Sequence, residues 1–203
     1  MNSEYISLVG KIINNRKFKK LKLEKHHNTN RYDHSIRVSY LSYRLCKKLN
    51  LDYISTARAG LLHDYYFSND FKKIKGELRK HCKTALINSR KLSNLSVKEE
   101  NIISSHMYPV GGELPKYIES VIVNLVDDYV SVRENILGFK PFTFIVAPLL
   151  IFGNMFVIFS SLLLSKLIFV SYKYNIETSL YEPEYNFLTK AAVLIFGFLK
   201  LMY

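Results

Sequence analysis

Gly60-Leu61-Leu62-His63-Asp64-Tyr65-Tyr66 closes an apolar run with a histidine and an aspartate side by side. Ala57, Leu61 and Leu62 recur at helical spacing before the pair, so a buried helix starting at Asp52 or Ser55 delivers it at its end. An imidazole and a carboxylate on adjacent residues at a helix end can both turn toward one cation. A His-Asp dipeptide is common by chance, and its weight depends on which ligand-type residues the neighbouring helices carry.

Upstream, Ile36, Val38, Leu41, Leu45 and Leu49 mark a buried helix face that runs from Asp33, ends near Asn50 and carries His34. Ahead of it, the run from His26 and His27 to Asp33 is rich in turn and capping residues. Residues 3–14 place Tyr5, Ile6, Leu8, Val9, Ile12 and Ile13 as an amphipathic helix, and the basic stretch Arg16 to Lys25 reads as solvated surface, with attraction of anionic lipid or substrate as the alternative.

Downstream, a polar, lysine-rich connection to about Arg79 leads into a helix from His81 to Leu92 with Ala85, Leu86 and Leu92 inward. Ser96-Val97-Lys98-Glu99 has the capping-box pattern and opens a helix through Ile102 and Ile103 to His106. Pro109, Gly111 and Gly112 break the chain, and Pro115 suits the first turn of a helix that runs to about Glu134 and carries Asp127-Asp128. Nothing before Gly138 alternates with the period of a strand. Residues 1–138 are therefore expected to form an all-α helical bundle.

The remainder, 139–203, differs in character. Up to Lys140 there are 25 Lys+Arg against 14 Asp+Glu, and beyond it 4 against 3, so +11 of the net charge of +12 belongs to the first region. That charge favours an anionic partner such as a nucleotide or an acidic membrane face. Phe142 to Val170 carries Lys166 as its one charge and exceeds the roughly 20 residues needed to cross a bilayer. Phe187 to Tyr203 is a shorter apolar stretch in which Lys190 and Lys200 can snorkel. The expectation is a C-terminal tail of one or two membrane helices, about 142–170 and 187–203, with the basic domain on the cytoplasmic side of a bacterial membrane. No secretory signal is read at the N-terminus. Two cysteines, Cys46 and Cys82, make no disulfide framework and fit a reducing compartment. Cys82, beside His81 but with no second cysteine at zinc-ligand spacing, reads as a core or surface thiol.

His34, His63-Asp64, His81, His106 and Asp127 thus lie on, or at the ends of, separate helices. In bundles, metal sites are built by inward groups on facing helices. Imidazoles with carboxylates suit zinc, iron or manganese, whereas magnesium and calcium prefer oxygen. The set exceeds what one four-coordinate cation needs when water must also bind, and two cations sharing a carboxylate account for it. Such a pair activates water and clamps phosphate oxygens, so no serine or cysteine nucleophile is required.

The ordered pattern resembles the HD-domain metal-dependent phosphohydrolase superfamily: a histidine, a His-Asp dipeptide, two further histidines and a distant aspartate. Asn28-Thr29-Asn30-Arg31-Tyr32-Asp33-His34-Ser35, Gly60 to Asp64, Ser105-His106-Met107-Tyr108-Pro109 and Ile122 to Asp127 look like a small bacterial group of that superfamily, over about residues 26–134. The resemblance implies that His34, His63, Asp64 and Asp127 hold one metal, with Asp64 bridging to a second held by His81 and His106. It makes Asp64 and His63 the catalytic pair, prefers Asp127 to Asp128, and matches His26 to a histidine that often precedes the first motif. Tyr65-Tyr66-Phe67 and His106-Met107-Tyr108-Pro109 depart from the branch that cleaves cyclic di-GMP. The His-Asp-Tyr and Val-Asp-Asp-Tyr stretches are similar to the dinucleoside tetraphosphate hydrolases.

The expected function is hydrolysis of a nucleotide or other small phosphate ester by metal-activated water. Arg37, Arg58 and Lys83 are candidate phosphate clamps, with ordinary surface charge as the competing role. The alternatives are a catalytically weak metal- or nucleotide-binding sensor at the membrane and a dinucleoside tetraphosphate hydrolase. Specific nucleic-acid binding has only basic charge behind it.

Overall fold

Asn2, Asn15, Asn30, Asp52 and Ser96 each accept a backbone N–H on their side chain and so fix where five helices begin. The computed structural model of the chain describes residues 1–26, 28–71, 77–136, 152–156 and 160. Within them run α1 (Ser3–Ile13), α2 (Arg16–Lys19), a 3-10 turn (Lys20–Leu23), α3 (Arg31–Lys48), α4 (Tyr53–Leu62), α5 (Glu77–Leu92), α6 (Val97–Ser105) and α7 (Ile118–Ile136). A two-residue antiparallel pair, β1 (Lys25–His26) and β2 (Thr29–Asn30), precedes α3. It is too short to show alternation in the sequence.

The helices α1 and α3 to α7 are those expected, with shifted ends that have local causes, whereas α2 and the 3-10 turn form in the basic stretch where no helix was expected. The α3 helix stops at Lys48 because Asn50 takes a left-handed conformation, φ 52°. There the N–H of Leu51 bonds the carbonyl of Cys46 at 2.9 Å and that of Asn50 bonds Lys47 at 3.2 Å, the two bonds of a Schellman termination. The α5 helix starts at Glu77, four residues earlier than expected, since the lysine-rich residues ahead of His81 carry no apolar periodicity to mark its first turn. Pro115 stands outside α7. Its segment is tied to α6 instead, by Glu113 N–H to the Ser104 carbonyl at 2.9 Å and Lys116 N–H to Asn101 Oδ1 at 2.9 Å. The capping box of α6 is complete. The basic stretch after residue 15 is not simply surface, because Phe18 and Leu21 are fully buried on one side of it.

The core lies between α3, α4, α6 and α7, with α1 closing one side, and includes Val38, Leu61, Leu62, Ile102, Ile122 and Leu125. The α3–α4 contact positions the site. Ser35, Ser39 and Ser42 line the buried face of α3, and Ser39 meets Ala57 and Gly60 of α4, so the two backbones come close there. Tyr5 OH donates to Ser39 Oγ at 2.8 Å, and Ser39 Oγ donates to the Ala57 carbonyl at 2.6 Å. A Cβ on Gly60 would stand 3.2 Å from Ser39 Cα. Gly60→Val is therefore expected to push α4 off α3 and destabilise the fold by about 1–3 kcal/mol, measured by chemical unfolding.

Among the described residues no helix is long and apolar enough to cross a membrane. The expected spans at 142–170 and 187–203 lie outside the described residues, apart from 152–156 and 160. Phe152 to Phe156 is helical and touches the bundle: Met155 is buried in the core cluster, and the Asn154 amide donates to Asn124 Oδ1 at 3.4 Å and to Asp128.

Candidate metal centre

His63 and His106 reach the centre by the same local device. Each is the C-cap of its helix, α4 or α6, and each donates Nδ1–H to the carbonyl three residues back, Gly60 or Ile103, at 2.7 Å. The last carbonyls of a helix lack intrahelical partners, so the imidazole satisfies one of them. In the neutral ring this fixes the tautomer and leaves Nε2 as a bare lone pair aimed inward.

His34 comes from the first turn of α3 and bridges two carboxylates of α7. Its Nε2 lies 2.9 Å from Asp127 Oδ1 and its Nδ1 2.9 Å from Glu134 Oε2. His63 Nε2 stands 3.5 Å from the same Asp127 oxygen. Asp64, directly after His63, turns its two oxygens to different neighbours. Oδ2 is 4.0 Å from His63 Nε2 and 3.8 Å from His26 Nδ1, while Oδ1 is 3.6 Å from His81 Nε2 and 3.5 Å from His106 Nε2. The two last nitrogens are 3.0 Å apart.

The electrostatics of this cluster are those of a site built for positive charge. Burial alone would raise the Asp64 and Asp127 carboxyls, but the His63 imidazole and its neighbours hold both well below the usual carboxylate range. Against the opposing effect of burial, Asp127 and Glu134 push His34 up to about 10. His106 is likewise raised, against burial, by Cys82 and Asp64. The Cys82 thiol is brought down to about 6 by His106 and His81, which outweigh its burial.

One atom tests whether these residues fit a cation. His63 Nε2 is buried and has no hydrogen-bond partner, although carboxylate oxygens stand 3.5 and 4.0 Å away. A lone pair facing acceptors at that range is unfavourable unless a cation lies between them. His34, His63 and Asp127 form one group able to hold a metal, His26, His34 and Asp64 a second, and His81, Cys82 and His106 a third. The donors therefore fit divalent metal in number, burial and chemistry.

The structure thus brings together all six residues expected as ligands, and adds His26, whose ring centroid is 4.2 Å from that of His34. His27 lies outside the described residues. Asp128, next to Asp127, accepts from Asn154 instead and is raised to about 7 by burial and by the Asp127 charge. The expected phosphate clamps are placed elsewhere. Arg37 donates to Glu134 Oε1 at 2.6 Å and so braces the carboxylate behind His34. Arg58 is bound to Glu99 at 2.6 Å, to Ser93 and to the Asn94 carbonyl, where it locks the capping box of α6. Lys83 is exposed on α5.

Two residues escaped the sequence reading. Glu134 orients His34, and its signal was available: it follows Asp127 by seven residues, two turns along the same face of α7. Arg31 is buried beside Asp64, with Nε 4.0 Å from Oδ2 and its guanidinium 3.8 Å from the centre of the Tyr66 ring. Nothing in its spacing distinguished it from other arginines. Glu134→Gln removes the charge behind His34 while keeping its shape, and should weaken metal binding about 10–100-fold by competition titration.

Neither a curated relative nor a solved structure matches the chain. The model of one family, described as HD domain, matches residues 31–131, the segment from the first residue of α3 to the middle of α7 that holds all six expected ligands. With that match laid over buried histidine and aspartate clusters suited to metal, the chain belongs to the HD-domain family through residues 31–131.

Proposed function

We propose that the chain hydrolyses a phosphoric ester or anhydride of a small phosphorylated substrate, with nucleotides the first class to test. The observation that carries this is the division of Asp64: each carboxylate oxygen faces its own set of imidazole nitrogens. That is the arrangement a carboxylate shared by two cations needs. In this reading His34, His63, Asp64 and Asp127 hold one cation, and Asp64, His81 and His106 hold the other. Divalent metals bound there supply a hydroxide at neutral pH and positive charge for the phosphate oxygens.

The chain's own residues do the remaining work. Fully buried imidazoles exclude bulk water on the protein side, which strengthens every electrostatic interaction in the centre. The Glu134–His34 and Gly60–His63 hydrogen bonds hold the rings in place before substrate arrives. His26 and Asp127, whose side chains keep 17% and 10% exposure, mark the side open to solvent. Arg31, stacked on Tyr66 with its Nε lacking a hydrogen-bond partner, places a fixed cation beside Asp64 on that same side. Its Nη1 is engaged, donating to the Tyr66 carbonyl at 2.9 Å and to Glu24 at 3.4 Å, so Nε is the donor left to meet an anionic phosphate group.

The deciding experiment is a phosphate-release screen of the full, metal-loaded chain. It covers mononucleotides, dinucleoside polyphosphates and simple phosphate esters, with His63→Ala in parallel. Turnover of at least one class that His63→Ala lacks supports the reading. No turnover of any class, or turnover equal in the variant, overturns it; full metal occupancy without turnover points to a metal-dependent sensor.

A further inference from the structure

We propose that Cys82 is a thiolate ligand, completing with His81 and His106 a position of mixed nitrogen and sulfur donors for the second metal. All three side chains are buried, and one donor atom from each lies within 4.8 Å of the others. His81 Nε2 is 3.0 Å and Cys82 Sγ 3.8 Å from His106 Nε2. Around a tetrahedral zinc with nitrogen at about 2.0–2.1 Å and sulfur at about 2.3 Å, ligand atoms stand about 3.3–3.6 Å apart. The two separations straddle that range, so small side-chain shifts would bring both into it.

A hydrogen bond between the thiol and His106 is the simpler account, and it does not balance. His106 gives its Nδ1–H to Ile103, so its Nε2 offers a single hydrogen-bonding position, a lone pair in the neutral ring or an N–H in the charged one. Both His81 Nε2 and Cys82 Sγ press on that one position, and in either protonation state it can make a hydrogen bond to only one of them. A cation among the three atoms satisfies all of them at once, the thiol proton leaving to solvent as the metal binds. The sulfur makes this position softer than the one formed by His34, His63 and Asp127, whose donors are nitrogen and oxygen only. Thiolate favours zinc or ferrous iron over manganese, so the two positions would differ in metal preference.

This assignment rests on the metal centre proposed above, and cobalt spectroscopy separates the two. The full chain, freed of metal, is titrated with cobalt(II). Visible d–d bands report metal in the centre, and a near-ultraviolet sulfur-to-cobalt charge-transfer band reports thiolate coordination. The wild type is expected to show both. Cys82→Ser and Cys82→Ala should keep the d–d bands and lose the charge-transfer band. Their half-saturating cobalt concentration for the second equivalent should rise at least about tenfold, the lower end of what even outer-shell losses cost. Cys46→Ser, altering the buried thiol of α3, should keep both bands. Wild-type d–d bands without charge transfer overturn the cysteine ligand and leave the metal centre standing. Absence of both overturns the two together. Charge transfer lost in Cys46→Ser and kept in Cys82→Ser also overturns the assignment. The wild-type and Cys46→Ser spectra remain decisive if either Cys82 variant fails to fold.

Discussion

Asp64→Asn is expected to lower kcat for phosphate release by well over a hundredfold, beyond the range that outer-shell losses span. The substitution keeps the volume and the hydrogen-bonding shape of the side chain, so α4 and its contact with α3 should be undisturbed. What it removes is charge, at the one residue whose oxygens reach both sets of imidazoles. With the carboxylate gone, each set loses a negative ligand, and metal content should fall along with activity. The amide nitrogen would also face His81 and His106 lone pairs as a donor, filling the place of the cation with a hydrogen bond. Asp128→Asn is the control, because Asp128 accepts from Asn154 and not from the imidazoles. Metal analysis and kinetics on both variants decide the matter. Equal loss in the two would mean that the damage is to α4 or α7 packing, and retained activity in Asp64→Asn would exclude Asp64 from the reaction.

The centre was largely legible in the sequence because each ligand sits at a place where helix boundaries are written in residue types. The Asn30 and Ser96 caps and the apolar run into His63 announce helix ends, and helix ends are where His34, His63 and His106 stand. What was not legible depends on contacts between distant segments. Arg58 resembles a phosphate clamp until Glu99, 41 residues later, is seen to hold it. Arg31 resembles any surface arginine until Tyr66 folds over it. Cys82 was judged against pairs of cysteines, whereas its partner is a histidine 24 residues away on another helix. The hairpin of β1 and β2 was missed for a different reason: two-residue strands leave no period to read.

Removing metal is expected to abolish hydrolysis reversibly and to lower the thermal midpoint without melting the helices at ambient temperature. A small zinc finger unfolds when chelated because its metal replaces a core. Here a contiguous core from α1 to α7 exists independently, and within the cluster His34 has Asp127 and Glu134 as partners without metal. His34, pushed up to about 10 by Asp127 and Glu134 against burial, stays protonated and supplies positive charge where the cation was. The fold therefore survives, but the stabilisation that comes from binding only the native state is lost. At a free metal concentration a hundred times Kd that amounts to about 2.7 kcal/mol per site. For a chain of this length the midpoint should fall by roughly 5–10 °C for each site emptied. Calorimetry and far-ultraviolet circular dichroism with and without chelator test both halves: the midpoint drops while the helical signal at ambient temperature holds. Adding back manganese, iron or zinc should restore midpoint and turnover together. A midpoint and an activity both indifferent to chelator would mean that His34, His63, Asp64 and Asp127 form a charge network complete in itself, with no metal in the reaction.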